Sequence, residues 1–198
     1  MAEAGYRVTW NDLRPETIGY VELKRQGGVV EYRPGDIFEI DFGAPFDVIV
    51  ALEVIEHVAH PDRLLARLRQ LIKPNGFIVL TTPNGGFLRN DLPKFSDHPD
   101  PSVFESRQFE PDADGHIFLL HVDELVPLGA KAGLVLRELC LGTSVLTAGW
   151  LKTAWLLRLM PRSLVMGLER LAGATPLWLR RRIMTSILAV YTPRRDQA

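Results

Sequence analysis

Three side chains able to do acid–base or metal chemistry directly follow a short apolar run near residue 50. The run is Val48–Val50, within the stretch FDVIVALEVIEHV, and the three side chains are Glu53, Glu56 and His57. A β-branched run of this length is typical of a strand covered on both faces, as in a parallel sheet. Ligands of open parallel sheets bind outside the carboxyl ends of the strands. The order of residues therefore predicts a buried strand that runs straight into a helix, with a chemically active site where they meet.

The chemistry of these three side chains has several interpretations. A helix would place Glu53 and His57, four residues apart, on one face, and with Glu56 they could bind a divalent ion. His57 could instead be a general base, because imidazole titrates near neutral pH. In a third interpretation the glutamates only shape a pocket while His57 caps or packs. His116, which follows a long polar segment, could reach over the same pocket or could be a structural histidine in a turn.

A separate carboxylate, Asp12, follows the strand pattern at residues 6–10. At the end of a strand, an aspartate can accept both hydrogen bonds of a ribose diol. The alternative is a helix N-cap, which aspartate also favours. Pro15 and Glu16 suit the first turn of a helix that continues to about Arg25.

Strand and helix patterns alternate along the whole chain. Apolar residues at helical spacing predict a helix that begins at Pro61-Asp62, and a second helix is predicted at 123–132. The remaining patterns predict strands at 29–33, 77–82, 134–139 and 187–191, and a long polar loop at 87–115 of the kind that forms lids or binding loops. This alternation predicts an α/β fold with a mostly parallel sheet.

The ordered motifs resemble the class I S-adenosylmethionine-dependent methyltransferases, and most of all the branch of ubiquinone-biosynthesis O-methyltransferases. They are VTWNDL, GDIFEI, FDVIVALEVIEHV, LRQLIKPNGFIVLTTPN and GHIFLLHVDELVPLGAKAGLVL. The resemblance implies a Rossmann-like sheet with helices on both faces. It covers roughly residues 4–140 and the final strand, so we expect one domain over 1–198 whose core, 1–140 and 183–198, is interrupted by an insert at 141–182.

The resemblance also implies a cofactor, S-adenosyl-L-methionine, and residues that bind it. Asp12 would hold the ribose, while Asp36 with the backbone of Ile37 would read the adenine. The alternative for Asp36 is a plain turn aspartate after Pro34-Gly35. Leu52 would pack against the adenosyl group, or is an ordinary core leucine, and Glu53 would complete the cofactor site. In the ubiquinone-biosynthesis relatives, the E-x-x-E-H pattern is thought to bind a divalent ion.

One part of the family pattern is missing from this sequence. Relatives have a strand that ends in a glycine-rich turn upstream of the position of Asp12, and Gly27-Gly28 and Gly85-Gly86 lie on the wrong side of it. That strand is the centre of the family's sheet, between the strands that end at Asp12 and at Leu52. Without it, those two strands must pair directly or leave backbone edges unpaired. We therefore expect an N-terminally truncated fold that binds the cofactor weakly or not at all.

The charge is distributed unevenly along the chain. The 198 residues carry a net charge of −1, which gives no reason to propose a nucleic-acid partner. The segment 141–182, however, holds seven arginines and lysines against one acidic residue, Glu169, together with three of the four tryptophans. Such a mixture suits a helical layer on an anionic membrane surface or a cap over an apolar substrate. The alternative is a set of ordinary helices packed on the sheet.

Composition sets the remaining expectations. The single cysteine, Cys140, fits a reducing compartment, and no apolar run reaches the length of a membrane span. We therefore expect a cytoplasmic protein, with peripheral membrane contact through 141–182. We expect it to transfer a methyl group to a small-molecule acceptor, at oxygen, with His57 as the catalytic residue that accepts the proton. The alternative from another class is a non-catalytic methyltransferase-like remnant that acts as an interaction module or at a membrane surface.

Overall fold

The computed structural model describes residues 1–108, 115–148 and 154–194. Within it the chain divides into two compact units, Met1–Pro45 and Phe46–Ala198. Trp150 and Lys152 of the predicted insert, residues 109–114 of the predicted loop and residues 195–198 of the polar tail lie outside the described residues.

The first unit is small and contains a two-stranded parallel sheet. Its elements are β1 (Val8–Trp10), α1 (Ile18–Lys24) and β2 (Val30–Tyr32), with a 3₁₀ turn at Pro15–Thr17 leading into α1. The strands pair in register from Val8 with Val30 to Trp10 with Tyr32, and the rings of this last pair meet edge to face at 5.8 Å. None of residues 1–45 is fully buried, so this unit has no dry core of its own.

The second unit is built on a four-stranded sheet with helices around it. Its elements are β3 (Phe46–Leu52), α2 (Pro61–Leu71), β4 (Ile72–Pro83), α3 (Val122–Lys131), β5 (Leu134–Ser144), α4 (Ala154–Leu159), α5 (Arg162–Gly173), α6 (Leu177–Ile183) and β6 (Met184–Pro193). The strand order is β3-β4-β6-β5. Strands β3 and β4 are parallel, whereas β6 runs antiparallel to both β4 and β5.

Alternating residues of the central strands form the core of the second unit. Ile78 and Leu80 of β4 and Ile187 and Ala189 of β6 are fully buried, as the two-residue period of a strand dictates for one face. Helix α2 adds the leucines that repeat at helical spacing, and these are buried as well: Leu64, Leu65 and Leu68. Tyr191 is also buried, and its hydroxyl donates to the carbonyl of Leu125 in α3 at 2.9 Å.

The α/β fold predicted from the alternation is confirmed, with two differences in detail. The sheet of the second unit is mixed, because β6 reverses direction between two strands that run the same way. The strands are also longer than the patterns indicated, since β4 includes the Lys73-Pro74-Asn75-Gly76 segment and β5 extends to Ser144. The helical part of the predicted insert is therefore shorter and, in the described residues, consists of α4, α5 and α6.

The prediction that the strand at residue 50 is buried on both faces is wrong. Val50 and Leu52 of β3 are 42% and 56% exposed. The physical reason is the position of the strand, because β3 is an edge strand whose described hydrogen-bonding partner is β4 alone. Strand β1 likewise pairs only with β2.

No helix in the described residues is both long enough and apolar enough to cross a membrane.

Candidate functional site

In the first unit, the ends of β1 and β2 bring Asp12 and Asp36 close together along the backbone. Gly35, which precedes Asp36, donates its amide to the carbonyl of Asp12 at 2.8 Å. The side chain of Asn11 fastens the same two loops, because its amide donates to the carbonyls of Arg33 at 2.7 Å and Gly35 at 3.0 Å. Sequence reasoning missed Asn11, although a polar residue directly after a strand was a signal for it.

Each of these two carboxylates also orders its own turn. Asp12 Oδ1 accepts from the amide of Arg14 at 2.9 Å, and Asp36 Oδ1 accepts from the amide of Phe38 at 2.9 Å. Both residues are half-buried, as is Ile37. Since a carboxylate offers about four acceptor positions, a local turn bond leaves each side chain able to accept further hydrogen bonds from a ligand.

In the second unit, the segment after β3 is not the helix that the sequence predicted. Leu52 ends the strand, Glu53 adopts φ 52°, and only a single 3₁₀ turn, Ile55–His57, follows before α2. A positive φ at a residue with a β-carbon is uncommon and strained, and such residues concentrate at functional sites. The expectation that Glu53 and His57 share the face of an α-helix is therefore wrong, because the chain turns sharply between them.

Glu56 is the most deeply placed carboxylate of this region. It is fully buried, and its Oε2 accepts from the hydroxyl of Thr82 at the end of β4, at 3.1 Å. Its Oε1 is also buried and has no hydrogen-bond partner in the described chain. Burial raises the pKa of the Glu56 carboxyl to about 7, and the charge of the nearby Glu53 acts in the same direction. Glu56 therefore gains or loses a proton near neutral pH.

Glu56 and His57 meet His116, which arrives from the far end of the long loop. The amide of Ile117 donates to the carbonyl of Glu56 at 2.8 Å, and the rings of His57 and His116 lie 4.9 Å apart between centroids. Burial lowers the pKa of His116, and the neighbouring His57 lowers it further while Glu53 opposes both. His116 therefore lies beside His57, as the interpretation that it reaches over this region requires.

One group of donor atoms in this region is close enough to surround an ion. A carboxylate oxygen of Glu56 and ring nitrogens of His57 and His116 all lie within 4.8 Å of one another. Glu53, which the E-x-x-E-H pattern would include, does not belong to this group. The all-oxygen surroundings that Mg²⁺ prefers do not match a set with two imidazoles, whereas such a set suits borderline transition metals.

The carboxyl end of β4 is fixed by a residue that the sequence analysis did not single out. Asn84 is buried, and its side-chain amide donates to the carbonyls of Arg181 at 2.9 Å and Met184 at 2.8 Å. Its Oδ1 accepts from the amide of Gly86 at 3.0 Å. Gly85 beside it has no room for a side chain, because an added β-carbon would lie 2.2 Å from the carbonyl oxygen of Leu119.

The described part of the predicted loop packs against the segment that follows His57. Ala59 forms a buried cluster with Ile117 and Phe118, joined by the half-buried rings of Phe95 and Phe104. Two loop side chains add hydrogen bonds: Gln108 accepts from the amide of Ala59 at 2.7 Å, and Glu105 Oε1 lies 2.7 Å from His60 Nε2. The loop thus anchors the region around His57 as part of the folded structure.

The α/β architecture, together with the ordered motifs along residues 4–140, indicates the class of methyltransferases with a Rossmann-like sheet. A family model described as a methyltransferase domain matches residues 1–139. The chain therefore belongs to this family of class I S-adenosylmethionine-dependent methyltransferases, as the motifs predicted.

Curated relatives and solved structures agree with this assignment. The chain is 39% identical to the ubiquinone biosynthesis O-methyltransferase of Maricaulis maris over 89 residues. This alignment covers 42% of this chain and 35% of that protein. The relative from Azorhizobium caulinodans is 45% identical over 56 residues, which cover 28% of this chain and 22% of that protein. The chain thus matches about a third or less of the length of these relatives.

Among solved structures, an S-adenosylmethionine-dependent methyltransferase from Mesorhizobium loti is similar with a TM-score of 0.57 and 12% identity, over 93% of this chain and 79% of that one. The CcbJ methyltransferase of Streptomyces caelestis is similar with a TM-score of 0.56 and 14% identity, over 98% and 77%. A Haloferax volcanii methyltransferase solved with the activator Trm112 has a TM-score of 0.58 and 14% identity, over 97% and 73%. At these identities the similarity concerns the fold.

Proposed function

We propose that this protein transfers the methyl group of S-adenosylmethionine to an oxygen of a small-molecule acceptor. The observation that carries the proposal is the pair of carboxylates, Asp12 and Asp36, at the neighbouring ends of two parallel strands. The names of the curated relatives, ubiquinone biosynthesis O-methyltransferases, support oxygen as the acceptor atom. In the first unit, Asp12 accepts the hydrogen bonds of the ribose diol, Asp36 accepts the exocyclic amine of adenine, and the Ile37 amide faces a ring nitrogen.

Calorimetry with S-adenosylmethionine and S-adenosylhomocysteine tests this assignment. We expect Asp12→Asn and Asp36→Asn to weaken binding about tenfold each, since a hydrogen bond to a charged group contributes about 1.5–3 kcal/mol. Glu31→Gln is the matched control, because Glu31 is an exposed carboxylate of β2 that pairs with Arg33. Because the affinity expected from the sequence is weak, ligand-observed NMR at millimolar cofactor extends the measurement. Absence of binding by the unaltered chain, or equal binding by all variants, contradicts the proposal.

In the second unit, we propose that His57 acts on the acceptor. The sulfonium of the cofactor makes its methyl carbon electrophilic, so the protein mainly has to align the two partners. An acceptor oxygen attacks the methyl carbon, the carbon–sulfur bond breaks to leave S-adenosylhomocysteine, and the hydroxyl proton passes to the ring nitrogen of His57. Leu52 and Glu53 are the proposed cofactor-binding residues of this unit, and their exposure at the end of β3 is compatible with that role.

Release of S-adenosylhomocysteine from a panel of small phenols and alcohols tests the role of His57. We expect His57→Gln to lower kcat about 100-fold with little change in KM, because general-base catalysis typically contributes 10²–10⁴-fold. His121→Gln is the matched control, because it makes the same change at a histidine that lies at the N-cap of α3 and not in the group of Glu56, His57 and His116. An unchanged kcat in His57→Gln contradicts the base assignment.

We also propose that helices α4–α6 contact an anionic membrane surface. Eight large apolar side chains of these helices are exposed: Trp155, Leu156, Leu159, Leu164, Met166, Leu171, Leu177 and Trp178. The acidic residue of the segment, Glu169, is directed inward, where its carboxylate accepts from Ser144 and Thr147. The outer surface of these helices thus combines apolar side chains with arginines, the combination that binds at an anionic lipid interface.

Co-sedimentation with vesicles tests this contact. We expect binding to vesicles rich in phosphatidylglycerol at low salt, and loss of binding with purely zwitterionic lipid or at high salt. Replacing Leu171 and Trp178 by serine should weaken binding, whereas Leu23→Ser, which alters an even more exposed side chain of α1, should not. Failure of the unaltered protein to sediment with anionic vesicles contradicts the proposal.

A further inference from the structure

A cavity with no role in the chemistry described so far lies beyond the carboxyl end of β4. Its volume is about 570 Å³, within the range of about 300–1,000 Å³ that is typical of small-molecule sites. Residues 84–86, which follow β4, form its floor, and its walls come from the loop segment 90–97, the start of α3 and helix α6. The cavity therefore lies where separate segments of the second unit meet.

Hydrogen bonds hold the floor and walls of this cavity together. The side-chain amide of Asn84 joins the floor to α6, because it donates to the carbonyl of Arg181 at 2.9 Å. The side-chain amide of Asn90 joins the loop to the floor by donating to the carbonyl of Gly85 at 2.8 Å. A ligand that enters the cavity meets a site that is already formed, which lowers the cost of binding.

One face of α6 supplies the cavity with an aromatic ring and two positive charges. Trp178, Arg181 and Arg182 all line the cavity, since residues three or four positions apart lie on the same face of a helix. Neither arginine forms an ion pair with an acidic side chain of the described residues. An indole ring stacks on planar apolar groups, and a guanidinium binds carboxylate or phosphate oxygens through two parallel hydrogen bonds. This face is therefore suited to an aromatic anion.

The other charged side chains of the cavity do not cancel the two arginines. Lys94 and Asp123 neutralise each other, because Lys94 Nζ and Asp123 Oδ2 lie 2.8 Å apart. Among the described lining residues, this leaves Asp97 as the one acidic side chain against Arg181 and Arg182. The cavity thus keeps a net positive charge, which favours an anionic ligand over a neutral one.

The cavity is close enough to the region of His57 for one small molecule to reach both. Thr82 donates its hydroxyl to Glu56, the neighbour of His57 in the chain, and Asn84 lies two residues beyond Thr82. At a strand rise of about 3.3 Å per residue, the floor of the cavity begins about 7 Å beyond Thr82. This separation is similar to the length of a substituted aromatic ring.

We propose that the methyl acceptor is an aromatic compound with a carboxylate or phosphate group, which Arg181 and Arg182 bind while the acceptor hydroxyl reaches His57. The inference rests on the proposed function and specifies the substrate class of that same site. A neutral phenol lacks the group that the two arginines bind, so it should occupy the cavity more weakly.

Ligand-observed NMR in phosphate-free buffer without cofactor measures this site independently of activity. The probes are 4-hydroxyphenylacetate and 4-hydroxyphenyl phosphate, and the matched neutral compound is 4-hydroxybenzyl alcohol. We expect at least one of the two anions to bind about tenfold more tightly than the alcohol, because its hydrogen bonds to the arginines are charge-assisted. The anion that binds more tightly identifies the group that the acceptor carries.

Three kinds of variant assign the binding to the cavity. Arg181→Gln and Arg182→Gln should each weaken binding of the anions about tenfold and leave binding of the alcohol unchanged. Asp97→Asn should strengthen binding of the anions, because it removes a like charge from the cavity wall. Arg162→Gln, the matched control, removes a positive charge of α5 that does not line the cavity and should bind as the unaltered chain does.

The outcomes separate the cavity from the methyltransferase activity. Equal affinities for the anions and the alcohol, equal effects of the variants at 162, 181 and 182, or no gain in Asp97→Asn overturns the inference. If cofactor binds and neutral phenols are methylated in that case, the proposed function stands without this substrate class. If the anions bind as expected and Arg181→Gln raises their KM about tenfold at little change in kcat, both assignments are supported. If the anions bind and the cofactor does not, the cavity stands as an anion site and the proposed function fails.

Discussion

At the scale of single residues, Glu56 is a buried carboxylate in an unusual electrostatic environment. It is fully buried, it accepts one hydrogen bond from Thr82, and its second oxygen has no partner in the described chain. Burial raises its pKa to about 7, well above the ordinary value for a glutamate. The folded protein therefore holds a proton at Glu56 over a pH range in which the unfolded chain has released it.

This difference makes the free energy of unfolding depend on pH. Because the folded pKa is raised, the stabilising effect of the proton is complete below about pH 4.5 and is lost as the pH rises toward about 7 and above. We expect the chain, in the presence of a chelator, to lose roughly 2–3 kcal/mol of stability between pH 5 and pH 8 from this group. Urea unfolding at several pH values measures it.

Glu56→Gln supplies the comparison for that measurement. Glutamine keeps the size and the hydrogen bond from Thr82 but does not titrate, so this variant should show a nearly flat dependence over the same pH range. Glu31→Gln, at an exposed position of β2, should keep the full dependence. A variant series in which Glu56→Gln retains the same pH slope would show that the proton is held elsewhere.

At the scale of elements, a hydrogen-bonded clamp attaches α5 to the end of β5. The carboxylate of Glu169 accepts from the amide of Ser144 at 3.0 Å and from its hydroxyl at 2.6 Å, and also from the hydroxyl of Thr147. Partial burial alone would raise the pKa of Glu169, but these hydrogen bonds together outweigh it and lower the pKa below its ordinary value. The clamp holds one of the exposed helices against the sheet.

Removing the clamp should destabilise the second unit. We expect Glu169→Ala to reduce the free energy of unfolding by about 1–3 kcal/mol, because it leaves the donors of Ser144 and Thr147 without their acceptor. Arg162→Ala, an exposed change in the same helix, should stay within about 0.5 kcal/mol of the unaltered protein. Equal effects of the two changes in thermal unfolding would refute the role of Glu169.

The elements also show what sequence patterns can and cannot predict. Helix α2 could be predicted from the spacing of Leu64, Leu65 and Leu68, because helical geometry places these three side chains on one face, which packs against the core. The contact between His57 and His116 could not be predicted from spacing, since the two residues are 59 positions apart in the sequence and the contact depends on how the loop returns. The false helix after Leu52 arose because local propensity carries no information on the strained turn at Glu53.

At the scale of the whole molecule, burial is unequally divided between the two units. Every fully buried apolar side chain of the described chain lies at Ile55 or beyond, whereas residues 1–45 contain none. A two-stranded sheet without a dry core is marginally stable at best. The stability of the chain therefore depends mainly on the second unit.

Expression of the two segments separately tests this division. We expect residues 46–198 to unfold cooperatively within a few degrees of the melting temperature of the full chain, since they contain its core. Residues 1–45 alone should show no cooperative transition by circular dichroism. A segment 46–198 that melts without cooperativity would show that the first unit is needed to complete that core.

The edge of β3 has a consequence for how copies of this protein behave toward one another. No strand of the described chain occupies that edge, and Val50 and Leu52 beside it are exposed. An open strand edge flanked by apolar side chains is a template on which a neighbouring molecule can add its own strand. Concentrated solutions of the chain should therefore aggregate through strand pairing between molecules and become turbid. A charged residue in place of Val50 should delay this aggregation.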